Sequence, residues 1–288
     1  MIERPDYLNE SAISNFITAA LAEDIGEGDY STLGTISAES VSKAKLLVKE
    51  DGIIAGLEMA WHIFFQYNSR LNVEYFKKEG EEVKKGEVAF IVVGPSRAIL
   101  STERLVLNCM QRMSGIATYT NRLTKLIEGT KAKLTDTRKT TPNFRLMEKW
   151  AVAIGGGRNH RFALYDMVML KDNHIDLAGG IRKAIENERD YLKKANKDLK
   201  IEIETRTLDE VQQVLDVGGV DIILLDNMNV DMLRQAVTLI GGRYKTEASG
   251  SITETTLRAV AETGVDYISV GALTHSVKSL DLSLKVIV

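Results

Sequence analysis

LKIEIETRTLDEVQQVLDVGGVDIILLD, residues 199–226, reads as strand, helix, strand. The apolar Ile201 and Ile203 alternate with Glu202 and Glu204, the period-two pattern of a strand. Residues 207–215 have helical spacing, and 220–226 form an apolar run of strand length. The same rhythm extends in both directions. It predicts strands at 132–137, 166–171, 199–205, 220–226, 244–249 and 266–271, with helices at 207–215, 229–239 and 253–263 among the connections. Repeated β–α units whose strands are apolar enough to be buried on both faces predict a parallel sheet.

Strand ends separate a barrel from an open, doubly wound sheet. Polar residues gather at the C-terminal ends: Asp136 and Arg138, Lys171, Glu204, Asp226, Ser249, then Gly271. Barrel enzymes build their sites on that rim, with phosphate commonly held by the last two loops. Those loops begin Ser249-Gly250-Ser251 and Gly271-Ala272, and both offer backbone N–H groups to an anion. No GxGxxG follows the first strand, which weakens a dinucleotide-binding fold. An incomplete α/β barrel is the expectation. By strand parity Glu202 and Glu204 share its inner face, where bare carboxylates are costly. Cations from neighbouring strands, ligand hydroxyls or a metal must compensate them, and Asp226 ends the next strand.

Segment 134–175 carries seven Lys or Arg against four acids, inside a chain of net charge −3. Local positive charge in an acidic protein points to an anionic small ligand, since nucleic-acid binders are usually basic as whole domains. A helix is predicted there with Thr141 as N-cap, Pro142 in its first turn, Gly155 just past its end, and a buried stripe of Phe144, Met147, Ala151 and Ile154. Gly155-Gly156-Gly157 is either an anion-cradling loop or a helix stop. His160, flanked by Arg158 and Arg161, is poorly suited to an apolar core, and His174 suits a capping or turn role. The histidines at 62, 160, 174 and 275 have no metal-ligand spacing.

Charged residues at 27% and only three prolines argue against extended disorder. Cys109 is the single cysteine, which excludes an intrachain disulfide and a thiolate zinc cluster. The polar N-terminus shows no secretory signal, and the apolar runs at 88–93 and 220–225 are too short to span a bilayer. A soluble, cytoplasmic protein without a membrane partner is expected. Before residue 114 the pattern predicts helices at 11–24 and 57–65, strands at 43–49 and 71–76, and an acidic, glycine-broken loop at 23–29. Residues 79–94 read as a hairpin, like that of biotinyl or lipoyl domains. A carrier role for Lys84 or Lys85 is the alternative to a structural one. Pro95 suits the first turn of an apolar helix that Ser114-Gly115 ends, with a second helix at 118–127. Arg104 lies on the first helix between Leu100 and Leu107, either reaching for water or meeting an anion. The alternation of Leu280, Leu282, Leu284 and Val286 predicts a half-buried strand that returns to the N-terminal sheet.

Asp136-Thr137-Arg138-Lys139-Thr140-Thr141-Pro142, Gly155-Gly156-Gly157 with Asn159-His160-Arg161, and Lys171-Asp172-Asn173-His174 together resemble the quinolinate phosphoribosyltransferases. Glu202-x-Glu204, Leu225-Asp226-Asn227-Met228, Glu247-Ala248-Ser249-Gly250 and Ser269-x-Gly271 follow in order, so the resemblance covers nearly the whole chain. It implies an N-terminal α/β sandwich domain over 1–113, an open, incomplete α/β barrel over 114–273, and a segment 274–288 that returns to complete the sandwich. It implies transfer of phosphoribose from phosphoribosyl pyrophosphate to quinolinate, with decarboxylation, Mg²⁺ and a homodimer. Arg104, Arg138, His160, Arg161 and Lys171 match the quinolinate-binding positions, with Arg104 supplied across the dimer. Lys139, Glu204, Asp226, Ser249, Gly250, Ser251 and Gly271 match those for phosphoribosyl pyrophosphate. Lys139, Lys171, Glu204 and Asp226 would be the catalytic set, and Glu204 and Asp226 would hold Mg²⁺ directly or indirectly. Ser251 departs from the family's usual glycine, a modest strain if that position needs positive φ. The competing expectation is a relative acting on nicotinate or linked to molybdenum transport.

Overall fold

The computed structural model describes residues 4–287. Contacts divide the chain into two compact units. The first is Met1–Asn121 with Thr140–Gly156 and Ala272–Val288; the second is Arg122–Lys139 with Gly157–Gly271. The chain begins with α1 (Glu10–Ile25), α2 (Tyr30–Thr35), β1 (Val41–Val48), β2 (Gly52–Ile53) and α3 (Leu57–Tyr67). Next come β3 (Asn72–Tyr75), β4 (Glu82–Val83), β5 (Val88–Pro95), α4 (Ser96–Leu126), β6 (Lys133–Thr135) and α5 (Arg145–Ile154). Then follow β7 (Val168–Leu170), α6 (Asp172–Ala178), α7 (Ile181–Lys194), β8 (Ile201–Thr205), α8 (Leu208–Val217) and β9 (Ile222–Asp226). The series ends with α9 (Val230–Ile240), β10 (Lys245–Ser249), α10 (Leu257–Ala261), β11 (Tyr267–Ser269), α11 (Ala272–His275) and β12 (Leu282–Ile287).

The first unit holds an antiparallel sheet in the order β12-β1-β5-β3. Alternation builds it: Ala44, Leu46 and Val48 of β1 are buried, with less buried residues between them. The C-terminal strand does return, pairing from Lys43↔Ile287 to Val48↔Leu282. Helix α3 packs Phe64 edge-on against Phe90 of β5, and it contacts α1, where Gln66 donates to the Ser14 carbonyl and the Thr18 hydroxyl.

Three expectations need correction here. Residues 79–94 are not a two-stranded hairpin: β4 pairs with β2, whereas β5 pairs with β1 and β3. Lys84 sits in exposed pairs with Glu82 and Asp51. Ser114-Gly115 does not end a helix, since α4 runs unbroken through it, and Pro95 closes β5 instead of opening the helix. The two small residues serve packing. Ser114 Oγ accepts from the Ala55 amide and donates to its carbonyl, while a Cβ on Gly115 would lie 2.3 Å from the Lys278 carbonyl oxygen.

The third correction concerns α5, which begins at Arg145 and not at Thr141. Asn143 has φ +60°, which a helix cannot continue through. Thr141 instead donates its N–H and hydroxyl to Glu148, both at 3.0 Å. Glu148 is fully buried and also accepts from Arg112 Nε at 3.0 Å and Nη2 at 2.8 Å. Burial is not confined to one stripe, because Lys149 and Trp150 are enclosed as well. These contacts tie 140–156 to the first unit.

The second unit is the six-stranded parallel sheet, in the order β6-β11-β10-β9-β8-β7. β6 and β7 are its two ends and do not pair, so the barrel is open. The edge of β6 is engaged by Arg158, whose N–H donates to the Leu134 carbonyl at 2.8 Å and whose carbonyl accepts from Asp136 N–H at 3.1 Å. Helices α8 and α9 start on Thr207 and Asn229, which accept the Glu210 and Met232 amides respectively. Helices α6 and α7 were not anticipated.

Candidate active site

The candidate site is built on the C-terminal ends of the parallel strands. Asp136, just beyond β6, is fully buried. Its carboxylate accepts from Asn159 Nδ2 at 2.7 Å and from the His160 amide at 2.9 Å. That pair of bonds holds segment 157–161 against the end of β6. The His160 ring is then committed on both sides. Nδ1 accepts the Arg161 N–H at 2.8 Å, and Nε2 lies 2.8 Å from Glu202 Oε2 and 3.6 Å from Glu247 Oε2. With Nδ1 accepting, the hydrogen belongs on Nε2 and is donated to Glu202.

A cavity of about 300 Å³ opens above this cluster. Arg138, Lys139, Arg161 and Lys171 converge on it, with His160, Glu247 and Ser249 in its wall and Met169 and Leu224 as apolar surface. Burial, and then the neighbouring Arg138 guanidinium, pull Arg161 below the usual range, and the Glu202 carboxylate works against them. Arg161 Nη1 donates to the Met167 carbonyl at 3.1 Å, while Asp166 accepts the Phe162 and Ala163 amides and shapes the intervening loop. Lys171 stands at the start of α6, where its N–H donates to His174 Nδ1 at 3.0 Å. The capping role expected of His174 is what the structure has.

Acidic groups occupy two levels. Glu204 is raised above the usual carboxylate range by burial and then by Asp226, with Lys171 opposing. One pleat deeper, Glu202 and Glu247 are each pushed up to about 8, chiefly by burial. Among the described residues, Glu202 Oε1 and Glu247 Oε1 are buried without a hydrogen-bond partner.

A second cavity, about 350 Å³, lies beside the loop after β10 and is lined by Ser249, Gly250 and Ser251 together with Asn227 and Thr256. Ser249 belongs to both cavities. Gly250 admits no side chain, because a Cβ would lie 2.2 Å from Asn227 Oδ1. Ser251 has φ +51°, so the position does need the left-handed region that glycine favours.

Arg138, Lys139, His160, Arg161, Lys171 and Ser249 are therefore brought to one cavity, and Gly250 and Ser251 to the next. Asp226 faces Ser249 in register across β9 and β10, and Gly271 follows β11. Arg104 is exposed on α4 in the first unit and lines neither cavity. Sequence reasoning missed the parts played by Asp136, Asn159 and Glu247, and it placed Glu202 on the inner face without its partner His160. Parity held a signal for Glu247: in KTEAS, 245–249, it is two residues from Ser249 and so shares its face, as Glu202 shares that of Glu204.

The chain matches the family described as quinolinate phosphoribosyl transferase, with its N-terminal domain over residues 29–114 and its C-terminal domain over 116–285. It is 48% identical to the chloroplastic nicotinate-nucleotide pyrophosphorylase [carboxylating] of Oryza sativa subsp. japonica, over 94% of this chain and 76% of that one. It is 42% identical to the probable nicotinate-nucleotide pyrophosphorylase [carboxylating] of Bacillus subtilis, over 97% of this chain and 95% of that one. Among solved structures, NadC from Streptococcus pyogenes superposes with a TM-score of 0.91 at 39% identity, covering 99% of this chain and 100% of that one.

Proposed function

The chain belongs to the quinolinate phosphoribosyltransferase family, and from that membership we propose that it transfers phosphoribose from phosphoribosyl pyrophosphate to quinolinate, yielding nicotinate mononucleotide, pyrophosphate and CO₂. The observation that carries the reading is the convergence of Arg138, Lys139, Arg161 and Lys171 on one cavity beside a glycine-containing loop. Quinolinate is a dianion and phosphoribosyl pyrophosphate carries further charges, so bringing them together needs concentrated positive charge. Arg138 and Arg161 suit bidentate pairing with carboxylates, and Lys139 and Lys171 supply point charge near the pyrophosphate. Ser249, Gly250, Ser251 and Gly271 are proposed to take the 5′-phosphate.

Held this way, the ring nitrogen attacks ribose C1 as pyrophosphate leaves. Glu204 and Asp226 stabilise the oxocarbenium character that develops there and orient the ribose hydroxyls. The N-ribosylated ring is cationic and stabilises the electron pair left on the adjacent ring carbon when its carboxylate departs as CO₂, and that carbon then takes a proton from solvent. His160, with both ring nitrogens committed, serves by holding the Arg161 backbone. The mutual repulsion of Glu204 and Asp226, two oxygen-donor groups, fits a hard divalent cation. Mg²⁺ bound by them, directly or through water, would offset the leaving-group charge.

Arg104 enters this scheme as a quinolinate contact supplied across a homodimer. Mixing inactive Arg104→Ala and Arg138→Ala chains should restore activity, because a heterodimer then contains one intact site. Subunits that exchange yet stay inactive would remove the shared-site idea. We also propose a cytoplasmic location, to be checked by fractionation. No described helix is long and apolar enough to cross a membrane, while the rice relative is named chloroplastic. The activity is tested by supplying phosphoribosyl pyrophosphate with either quinolinate or nicotinate. One CO₂ per nicotinate mononucleotide from quinolinate is expected, and turnover of nicotinate alone would sink the assignment.

A further inference from the structure

We propose that Asn227 is a positioning residue for a pentose 5-phosphate: its carboxamide ties the Asp226 carboxylate to the loop Ser249-Gly250-Ser251, so that ribose hydroxyls and 5′-phosphate are held at a fixed spacing. The inference rests on the proposed placing of the ribose at Asp226 and of the phosphate at that loop. Asn227 directly follows β9. Its Nδ2 donates to Asp226 Oδ2 at 2.7 Å. Its backbone N–H donates to the Ser249 carbonyl at 2.9 Å. Its Oδ1 lies against Gly250, where an added Cβ would sit 2.2 Å from that oxygen and 2.5 Å from Cγ.

Chemistry fixes the orientation of the amide. A carboxylate only accepts, so the atom bonded to Asp226 is the amide nitrogen, and the oxygen is the atom over Gly250. One flat group therefore touches both the carboxylate and the loop. It commits Asp226 Oδ2, which leaves Oδ1 as the oxygen for a ribose hydroxyl or the cation. It also rests on Gly250 where any other residue would carry a side chain, so the asparagine and the glycine interlock. Asp226 and Ser249 are already register partners across β9 and β10. Backbone pairing thus aligns the two strand ends, and the carboxamide extends that alignment to the groups proposed to meet the ligand.

Two plainer accounts leave this arrangement unexplained. Asn227 has φ +53°, a region that asparagine tolerates better than most residues. Backbone conformation alone would be served best by glycine, which offers neither the bond to Asp226 nor the contact with Gly250. Helix capping does not account for it either, because α9 is capped by Asn229, whose Oδ1 accepts the Met232 amide. Asn227 also lines the cavity that Gly250 and Ser251 line. Its side chain therefore stands where a ligand on that loop would register any change in spacing.

The experiment is titration calorimetry of the full chain with two probes, inorganic phosphate and ribose 5-phosphate, on wild type, Asn227→Gly and Asn227→Ala. Phosphate reports the loop alone, whereas ribose 5-phosphate reports the loop and Asp226 together. Wild type should bind ribose 5-phosphate more tightly than phosphate. Asn227→Gly keeps the backbone angle and loses the tether. Its affinity for ribose 5-phosphate should fall about tenfold, as for one hydrogen bond to a charged group, with phosphate affinity nearly unchanged. Asn227→Ala adds left-handed strain and should melt at a lower temperature than Asn227→Gly, yet show the same ligand pattern. In steady-state assays both variants should raise KM for phosphoribosyl pyrophosphate and leave KM for quinolinate as it is. Unaltered ribose 5-phosphate affinity in Asn227→Gly, or equal losses for the two probes, would overturn the proposal and leave the substrate assignment standing. A wild type that gains nothing from the sugar would overturn the placing of the ribose at Asp226, and the proposal with it.

Discussion

Arg112→Met tests the buried network that anchors the start of α5. Glu148 is fully buried and its four hydrogen bonds are nearly all at 3.0 Å: two from Arg112 and two from Thr141. The guanidinium also donates to the Val277 carbonyl at 2.8 Å and to the Thr274 carbonyl. Methionine keeps the apolar stem but leaves Glu148 with the Thr141 donors alone. Breaking a buried pair by removing one partner costs about 3–5 kcal/mol, a large part of a total stability of about 5–15 kcal/mol. Removing both charges strands neither, so Arg112→Met with Glu148→Met should lose less than the sum of the two single variants. Urea unfolding followed by Trp150 emission suits the purpose, because Trp150 is buried on α5 itself. A loss under about 1 kcal/mol in the single variant, or strict additivity in the double one, would refute the reasoning.

Three other outcomes are expected. Ser251→Gly should gain about 0.5–1 kcal/mol in thermal unfolding by relieving φ +51°, and a rise in KM for phosphoribosyl pyrophosphate would reveal a hydroxyl contact with the phosphate. Gly115→Ala should destabilise by about 2 kcal/mol or more, since the added methyl meets the Lys278 carbonyl at 2.3 Å; a neutral result in urea unfolding would mean that the backbone there yields readily. Glu79, half-buried at the start of α3 where it accepts the Gly56 and Glu58 amides, has its acid form favoured up to about 7, chiefly by desolvation. Folding then takes up a proton between the ordinary carboxylate value and about 7, so wild-type stability should fall as pH rises through that window, and the slope should shrink in Glu79→Gln.

The barrel was legible because its strands are short, apolar and evenly spaced, and because polar residues mark their ends. Arg138, Lys139 and Lys171 were legible for the same reason, since rim position follows from strand position, whereas Arg161, in the loop before β7, entered only through the family resemblance. What escaped depends on contacts between distant residues. Nothing local in Ser114-Gly115 distinguishes a helix break from a close approach by Lys278. The start of α5 turned on one backbone angle at Asn143, where proline-based capping logic favoured an earlier start. β4 chose β2 as its partner over its own neighbour in sequence, which no turn signal at 84–87 could reveal. Glu202 was recognised as an inward carboxylate, but its partner His160 arrives from a loop 42 positions earlier.

The pairing of β12 with β1 has a consequence for the order of events during synthesis. Val48 and Leu282 are register partners separated by 234 positions. At roughly 5–20 residues per second, the nascent β1 waits about ten seconds to most of a minute for its neighbour. Every strand of the parallel sheet emerges within that interval. The domain that is translated first is therefore completed last, and until then one edge of its sheet is open to any passing strand. A nascent-chain arrest series should find the barrel resisting protease before the N-terminal sheet does, with protection of the latter appearing only once the residues of β12 have cleared the ribosome.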